Sequence, residues 1–137
     1  HHGYTSGGMP LACAAALATI GYIEKHDLIS EVPAKSKHLG ESLAGLAEAS
    51  PLVGDVRVRG MMAVVDLVKD KKTRGAFSDP YGVSAAMFDL AREEGIYLYV
   101  RAPRILYQLP LTISHDEIDF VARATERIVK RLEAVAR

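Results

Sequence analysis

Two arginines in a short, proline-containing connection are the first residues here whose chemistry could serve a binding site. Arg101 and Arg104 flank Ala102-Pro103 between two β-rich segments. A rigidly placed arginine can hold a carboxylate through two parallel hydrogen bonds. Spacing alone favours the plainer interpretation of two solvated surface arginines.

A loop rich in glycine and hydroxyl side chains is the second candidate. Residues 3–8 read Gly-Tyr-Thr-Ser-Gly-Gly and come shortly before Pro10, which suits the first position of a helix. Backbone N–H groups and the Thr5 hydroxyl beside a helix start could hold a phosphate. The loop has no lysine and no P-loop spacing, so it is not a nucleotide P-loop, and a plain loop leading into a helix is the simpler interpretation.

The other reactive side chains predict neither a metal centre nor covalent catalysis. The 5 histidines are scattered without helical pairing or a nearby acid, so we expect surface histidines and no metal. Cys13 lies among alanines, which indicates a small core residue in a reducing compartment. Asp66 interrupts an apolar run and is either a paired buried acid or, as we favour, on the outward face of an edge strand.

Composition narrows the class of protein. The 137 residues contain 17 basic and 17 acidic side chains, so the chain lacks the positive charge of a nucleic-acid or membrane-surface binder. No run reaches the ~18 apolar residues of a membrane span, and no signal peptide is evident. We therefore expect a cytoplasmic globular protein without nucleic-acid or membrane partners.

Hydrophobic periodicity predicts the elements that would position these residues. In chain order we predict a helix from Pro10, a helix over 30–49, and strands over 56–59 and 61–68 with a break at Gly60. A helix capped by Asp79 and opened by Pro80 follows, then strands over 96–100 and 105–109, and a helix behind a Ser114/Glu117 capping box. This order predicts an α+β fold with a largely antiparallel sheet.

Three of these elements carry more detailed expectations. The first helix is apolar on nearly every side over 11–23 and needs more cover than this chain supplies, so we expect the chain to start inside a larger protein. The second helix carries an apolar stripe, with Lys35 off it. The nearly continuous apolar run 61–68 predicts a buried strand.

Several motifs, in the right order, resemble those of class III aminotransferases, pyridoxal-phosphate (PLP) enzymes of fold type I that include the ω-transaminases. Residues 3–17, GYTSGGMPLACAAAL, resemble the family's G-[HFY]-T-x-x-G-x-P-x-A-x-A-A-x-L segment. Residues 53–68, VGDVRVRGMMAVVDLV, resemble V-G-D-V-R-G-x-G-L-M-x-x-[IV]-[ED]-L-V. The loop 70–77 resembles the ω-transaminase version, and residues 109–119, LPLTISHDEID, resemble P-P-L-x-[IV]-[ST]-x-x-E-[IL]-D.

The resemblance implies a domain organisation and a function. Residues 1–30 would be the end of the large PLP-binding domain and a connecting helix, and 31–137 the C-terminal small domain, with about three or four mainly antiparallel strands. The parent would be a homodimer that moves an amino group from an amine or amino acid to a keto acid such as pyruvate. Thr5 matches the threonine that reaches the cofactor phosphate of the neighbouring subunit, with Tyr4 beside it. Arg101 matches the arginine that binds the substrate carboxylate.

Departures from the family pattern leave alternatives open. Val58 stands where the family usually has glycine, and Leu109 replaces a proline. The connection from Arg101 to Pro110 is shorter than the family's, so Arg104 could take the part given to Arg101. The family's Schiff-base lysine lies upstream of these residues, so this segment contributes no catalytic lysine and should not transaminate alone. The alternatives are a decarboxylase or aminomutase of the same fold, or a non-catalytic, stand-alone α+β interaction module.

Overall fold

A computed structural model of the chain describes residues 3–5, 7–101 and 103–135. Its elements, in chain order, are α1 (Pro10–Lys25), α2 (Leu28–Ala49), β1 (Val53–Arg59), β2 (Met62–Leu67), α3 (Pro80–Glu93), β3 (Tyr99–Val100), β4 (Arg104–Gln108) and α4 (His115–Val135). The predicted order of helices and strands is confirmed. The predicted strand over 96–100 is shorter in the structure, and β1 begins three residues earlier than predicted, at Val53 rather than Val56.

The chain divides into two compact units, residues 1–31 and 32–137. In the first unit, Pro10 opens α1 as predicted, behind Met9 as the N-cap. No residue of α1 is buried, and Leu11 and Leu17 are among its exposed apolar side chains. Cys13 was predicted in a core and is exposed. The prediction was wrong because none of the described residues covers α1 closely enough to bury any of its side chains.

The second unit contains a four-stranded antiparallel sheet with the strand order β1-β2-β4-β3. Gly60 joins β1 to β2 at φ +59°, a conformation that favours glycine. The predicted α+β class and antiparallel sheet are confirmed. Strand β2 lies inside the sheet, paired with β1 on one side and β4 on the other. Asp66, a residue of β2, therefore has a neighbouring strand on each side.

One face of the sheet forms the core together with side chains of α2, α3 and α4. Along β2, Ala63, Val65 and Leu67 are buried while Met62 is exposed. The expectation of a buried strand over 61–68, with Asp66 as its exception, is therefore wrong for Met62 as well. Within the second unit the helices pack on one face of the sheet, and alternate residues of β2 point to the other face.

The helices of this unit follow their predicted stripes, with one exception. Leu39, Leu43 and Leu46 of α2 are buried as expected. Lys35, predicted off the stripe, is also buried, and its Nζ donates a hydrogen bond to the Leu111 carbonyl at 2.8 Å. A long lysine stem can lie along apolar neighbours while its ammonium group reaches a polar atom.

Helix starts follow the predicted capping chemistry. Asp79 accepts a hydrogen bond from the Gly82 backbone N–H at 2.9 Å ahead of α3. At the start of α4, the Glu117 backbone N–H donates to the Ser114 hydroxyl at 3.2 Å, and the Ser114 backbone N–H donates to the Glu117 carboxylate at 2.8 Å. These are the reciprocal bonds of a capping box. None of the helices in the described residues is long and apolar enough to cross a membrane.

Candidate functional site

The connection between β3 and β4 is a tight turn. The Arg101 backbone N–H donates to the Arg104 carbonyl at 2.8 Å, and the Arg104 backbone N–H donates to the Arg101 carbonyl at 3.1 Å. The Leu67 backbone N–H, at the end of β2, donates to the Pro103 carbonyl at 3.0 Å. The turn is therefore fixed both to itself and to the central strand. An arginine in such a rigid position can hold a carboxylate through two parallel hydrogen bonds.

Asp66 of β2 binds one of the turn's two arginines. Its Oδ1 accepts a hydrogen bond from Arg104 Nε at 2.7 Å, and its Oδ2 accepts one from Arg57 at 2.6 Å. Arg57 also donates to Asp55 at 2.7 Å. The hydrogen bond and the charge of Asp66 raise the pKa of the Arg57 guanidinium above its usual value, so it stays a cation.

The expectation that Asp66 lies on an edge strand is wrong. Asp66 does point to the face away from α2, α3 and α4, but β2 is an interior strand and the carboxylate is paired. Its side chain is 21 % exposed, against 57 % for Arg57 and 62 % for Arg104. Asp66 and Arg104 are 38 residues apart in the sequence, and the pairing of β2 with β4 brings them opposite each other.

Arg101 differs from Arg104 in its partners. Arg101 is exposed, and no hydrogen bond or ion pair to its guanidinium occurs among the residues that the structure describes. Arg104, three residues after Arg101 and the first residue of β4, is held by Asp66. The sequence did not decide whether Arg101 or Arg104 would bind a carboxylate. In the structure, Arg101 is the one that is available to do so.

The amino-terminal loop is described on both sides of Ser6. The Gly7 backbone N–H donates to the Tyr4 carbonyl at 2.9 Å, which closes a turn around Thr5. Gly8 adopts φ +76°, and a Cβ there would be strained. Tyr4 is 78 % exposed and Thr5 is also exposed. Ser6 and the two leading histidines lie outside the described residues.

The donors of this loop fit a phosphate. The hydroxyl of Thr5 has no hydrogen-bond partner within the described part of the chain, and the loop leads into the N-terminus of α1. The first turn of a helix presents free backbone N–H groups and a positive dipole end, and both favour an anion. This loop belongs to the first unit and the arginine turn to the second.

A polar cluster between α2 and α4 escaped the sequence analysis. His38 Nε2 lies 2.8 Å from Asp119 Oδ1, and the Ser42 hydroxyl donates to the same oxygen at 3.0 Å. The ring of His115 meets that of His38 edge to face at 4.7 Å. The expectation of a surface histidine without a nearby acid is wrong for half-buried His38 because its acid lies 81 residues away.

Hydrogen bonding lowers the pKa of Asp119 below its usual value, chiefly through Ser42 and further through His38. The cluster is a structural link between two helices. Among the described residues, no group of three or more histidine, cysteine, aspartate or glutamate side chains could hold a metal ion.

Comparison with known proteins identifies the family of this chain. Residues 1–130 match the family Aminotransferase class-III. The chain is 39 % identical, over 93 % of its length, to an adenosylmethionine-8-amino-7-oxononanoate aminotransferase of Geobacter sulfurreducens, of which it covers 28 %. The enzyme of that name from Methanocaldococcus jannaschii has a crystal structure that matches at 35 % identity and TM-score 0.87, over 96 % of this chain and 30 % of that one.

A second solved structure matches equally well. An amine transaminase from an uncultivated Pseudomonas species, solved in its PLP-bound form, is 37 % identical with TM-score 0.87, over 96 % of this chain and 30 % of that one. The chain thus spans 28 to 30 % of the length of these relatives. The predicted family is confirmed: this chain belongs to the class III aminotransferases.

Proposed function

We propose that the full-length protein transfers an amino group from an amine or amino acid to a keto acid such as pyruvate. Class III aminotransferases depend on PLP, which supplies the electron sink and the carrier for the amino group when bound. One observation carries the proposal furthest: the turn that matches the family's substrate-binding arginine keeps Arg101 available while Arg104 is paired with Asp66.

Arg101 would bind the carboxylate that keto acids and amino acids share. A planar guanidinium can donate two parallel hydrogen bonds to the two carboxylate oxygens, which fixes both the position and the orientation of the substrate. An amine donor without a carboxylate would not use this contact. The proposal therefore predicts that Arg101 affects the two classes of substrate differently.

Thr5 and Tyr4 would hold the phosphate of PLP. The Thr5 hydroxyl and the backbone N–H groups that lead into α1 are suitable donors, and the exposed Tyr4 adds a phenol hydroxyl. By the family's pattern, this phosphate belongs to the partner subunit of a homodimer. The exposed apolar side chains of α1 agree with a helix that other parts of the protein cover.

Residues 1–137 alone should not transaminate. The lysine that carries the cofactor in this family lies in a segment before these residues, as do the groups that contact the cofactor ring. Residues 1–30 would end the large domain, and 31–137 would form the small domain. We further expect the enzyme in the cytoplasm, where the single Cys13 would stay reduced.

Arg101→Gln in the full-length enzyme tests the proposal, with Arg59→Gln as the matched control. Arg59 is also exposed, and it lies at the opposite end of its strand from the turn. Loss of a charged hydrogen-bond pair should raise KM for pyruvate by about 10- to 100-fold. KM for a primary amine donor without a carboxylate should not change, and Arg59→Gln should change neither.

Product analysis separates the alternatives. Amino-group transfer yields a new amino acid from the keto acid, a decarboxylase releases CO₂, and an aminomutase moves the amino group within one molecule. An equal rise of both KM values in Arg101→Gln would contradict the role given to Arg101. Failure of the full-length protein to form any of these products would favour the non-catalytic module.

A further inference from the structure

The turn carries two arginines but needs only one to bind a carboxylate. A guanidinium on either side of Ala102-Pro103 would offer a single substrate carboxylate two competing positions. Only one of these positions can place the reacting carbon correctly, and small misplacements are costly in catalysis. Whatever separates the two arginines therefore affects specificity.

Asp66 separates them. Its Oδ1 accepts from Arg104 Nε at 2.7 Å, so Arg104 lies along the sheet beside β2. Its Oδ2 accepts from Arg57 at 2.6 Å, so the carboxylate is held from both neighbouring strands. Asp66 is the least exposed member of the group, with 21 % of its side chain accessible.

The charges of this group balance without Arg101. Asp55 and Asp66 carry two negative charges, and Arg57 and Arg104 carry two positive charges, all joined by hydrogen bonds of 2.6 to 2.7 Å. Arg101 has no such partner among the described residues. Of the turn's two arginines, Arg101 is therefore the one whose charge is not neutralised by a described residue.

We propose that Asp66 is a positioning residue: it holds Arg104 against the sheet, so that Arg101 alone meets the substrate carboxylate. The inference rests on the proposed function and adds to it a residue that selects between two arginines. Asp66 itself does not touch the substrate. Its effect passes through Arg104, and its loss should release a second, wrongly placed carboxylate-binding group.

Arginine modification tests the restraint directly and needs no activity. The full-length protein is treated with phenylglyoxal and digested with chymotrypsin, which leaves Arg101 and Arg104 on one peptide, 100–106. Fragmentation of that peptide in the mass spectrometer assigns the modification to one arginine or the other and gives the rate at Arg104. In Asp66→Asn, the rate at Arg104 should rise by about two- to fivefold, the range expected for losing an exposed ion pair. An unchanged rate would overturn the proposal.

Asp55→Asn is the matched control. Like Asp66→Asn, this substitution removes one negative charge from this face of the sheet and one ion-pair partner of Arg57. Asp55 itself does not contact Arg104. The rate at Arg104 should stay at the wild-type value. A rise equal to that of Asp66→Asn would mean that net charge, and not the Asp66 contact, controls Arg104, and the proposal would be wrong.

Kinetics test what the restraint does. In the wild-type background, Arg101→Gln should raise KM for pyruvate by about 10- to 100-fold. In the Asp66→Asn background, the released Arg104 can bind the carboxylate in place of Arg101, although from a different position, so Arg101→Gln should raise KM by less than about fivefold. Equal losses in both backgrounds would contradict the selecting role. A purely structural role for Asp66 would not produce this non-additivity.

Arg104→Gln supplies a test that does not depend on the folding of Asp66→Asn. A restrained Arg104 should be dispensable, so KM for pyruvate should stay at the wild-type value, and a rise matching that of Arg101→Gln would overturn the proposal. Absence of amino-group transfer from the wild-type protein would sink the proposed function instead. The modification rates at Arg104 would still decide whether Asp66 restrains it.

Discussion

The hydroxyl of Tyr107 on β4 lies 2.7 Å from the hydroxyl of Thr125 on α4, and both side chains are buried. Thr125 also donates to the Val121 carbonyl of its own helix at 2.8 Å, so Tyr107 is the donor to Thr125. Burial raises the pKa of the Tyr107 phenol, which keeps it protonated. This bond ties β4, the strand that follows the arginine turn, to α4.

Tyr107→Phe should destabilise the second unit modestly. It removes one buried hydrogen bond without changing the packed ring, and it leaves Thr125 its bond to Val121. We expect the free energy of unfolding to fall by about 1 kcal/mol in urea denaturation. Tyr97→Phe, at an exposed tyrosine, should cause no loss. Equal effects of the two variants would contradict the role of the buried bond.

Thr5→Val should weaken the binding of PLP. The change keeps the shape of the side chain and removes the hydroxyl that we assign to the cofactor phosphate. The dissociation constant, measured by fluorescence titration of the full-length apoenzyme, should rise by about tenfold or more. The control is Thr19→Val, because the Thr19 hydroxyl donates only to the Ala15 carbonyl within α1. An unchanged constant in Thr5→Val would remove Thr5 from the phosphate site.

Acid should destabilise the start of α4. Hydrogen bonds from Ser114, chiefly from its backbone N–H, lower the pKa of Glu117 below its ordinary 4.5, and Ser42 lowers that of Asp119 below its ordinary 3.8. Because the pKa of each is lower in the folded state, each stabilises the fold above its ordinary pKa. That contribution is lost as the pH falls through the folded-state value.

Thermal unfolding between pH 7 and pH 3 measures this loss. Glu117→Gln keeps the hydrogen-bonding shape of the cap but cannot be protonated, so its Tm should fall less steeply below about pH 4.5 than that of the wild type. Glu48→Gln, at an exposed glutamate of α2, should follow the wild-type curve. Parallel curves for the wild type and Glu117→Gln would refute the assignment.

Two glycine substitutions should change stability in opposite directions. Gly60 has φ +59° in the β1–β2 turn, so Gly60→Ala should cost about 1 kcal/mol or more. Gly45 lies within α2 with open space where a Cβ would be, so Gly45→Ala should stabilise by about 0.5–1 kcal/mol. Urea denaturation of both variants decides, and destabilisation by Gly45→Ala would contradict the open environment.

Local signals predicted much of the fold. The capping residues Asp79 and Ser114 marked helix starts because their side chains bond backbone groups only three positions away. Gly60 marked a turn for an equally local reason. These features need no knowledge of the remaining chain, so their positions could be predicted from the sequence.

The site's electrostatics could not be predicted in the same way. Asp66 meets Arg104 across 38 residues, and His38 meets Asp119 across 81. Such pairs depend on strand order and helix packing, and neither periodicity nor spacing specifies these. The edge position assigned to Asp66 was wrong because β4, and not open solvent, lies beside β2. The sequence could propose Arg101 and Arg104, but only the register distinguishes them.

One spectroscopic measurement tests the central claim of amino-group transfer most directly. The full-length protein is loaded with PLP, and its visible absorption is followed as an amine donor is added without acceptor and pyruvate is added afterwards. Our account predicts that the long-wavelength band of the cofactor disappears with the amine and returns with pyruvate, with alanine formed in proportion. A band that the amine leaves unchanged, or that pyruvate does not restore, would contradict it.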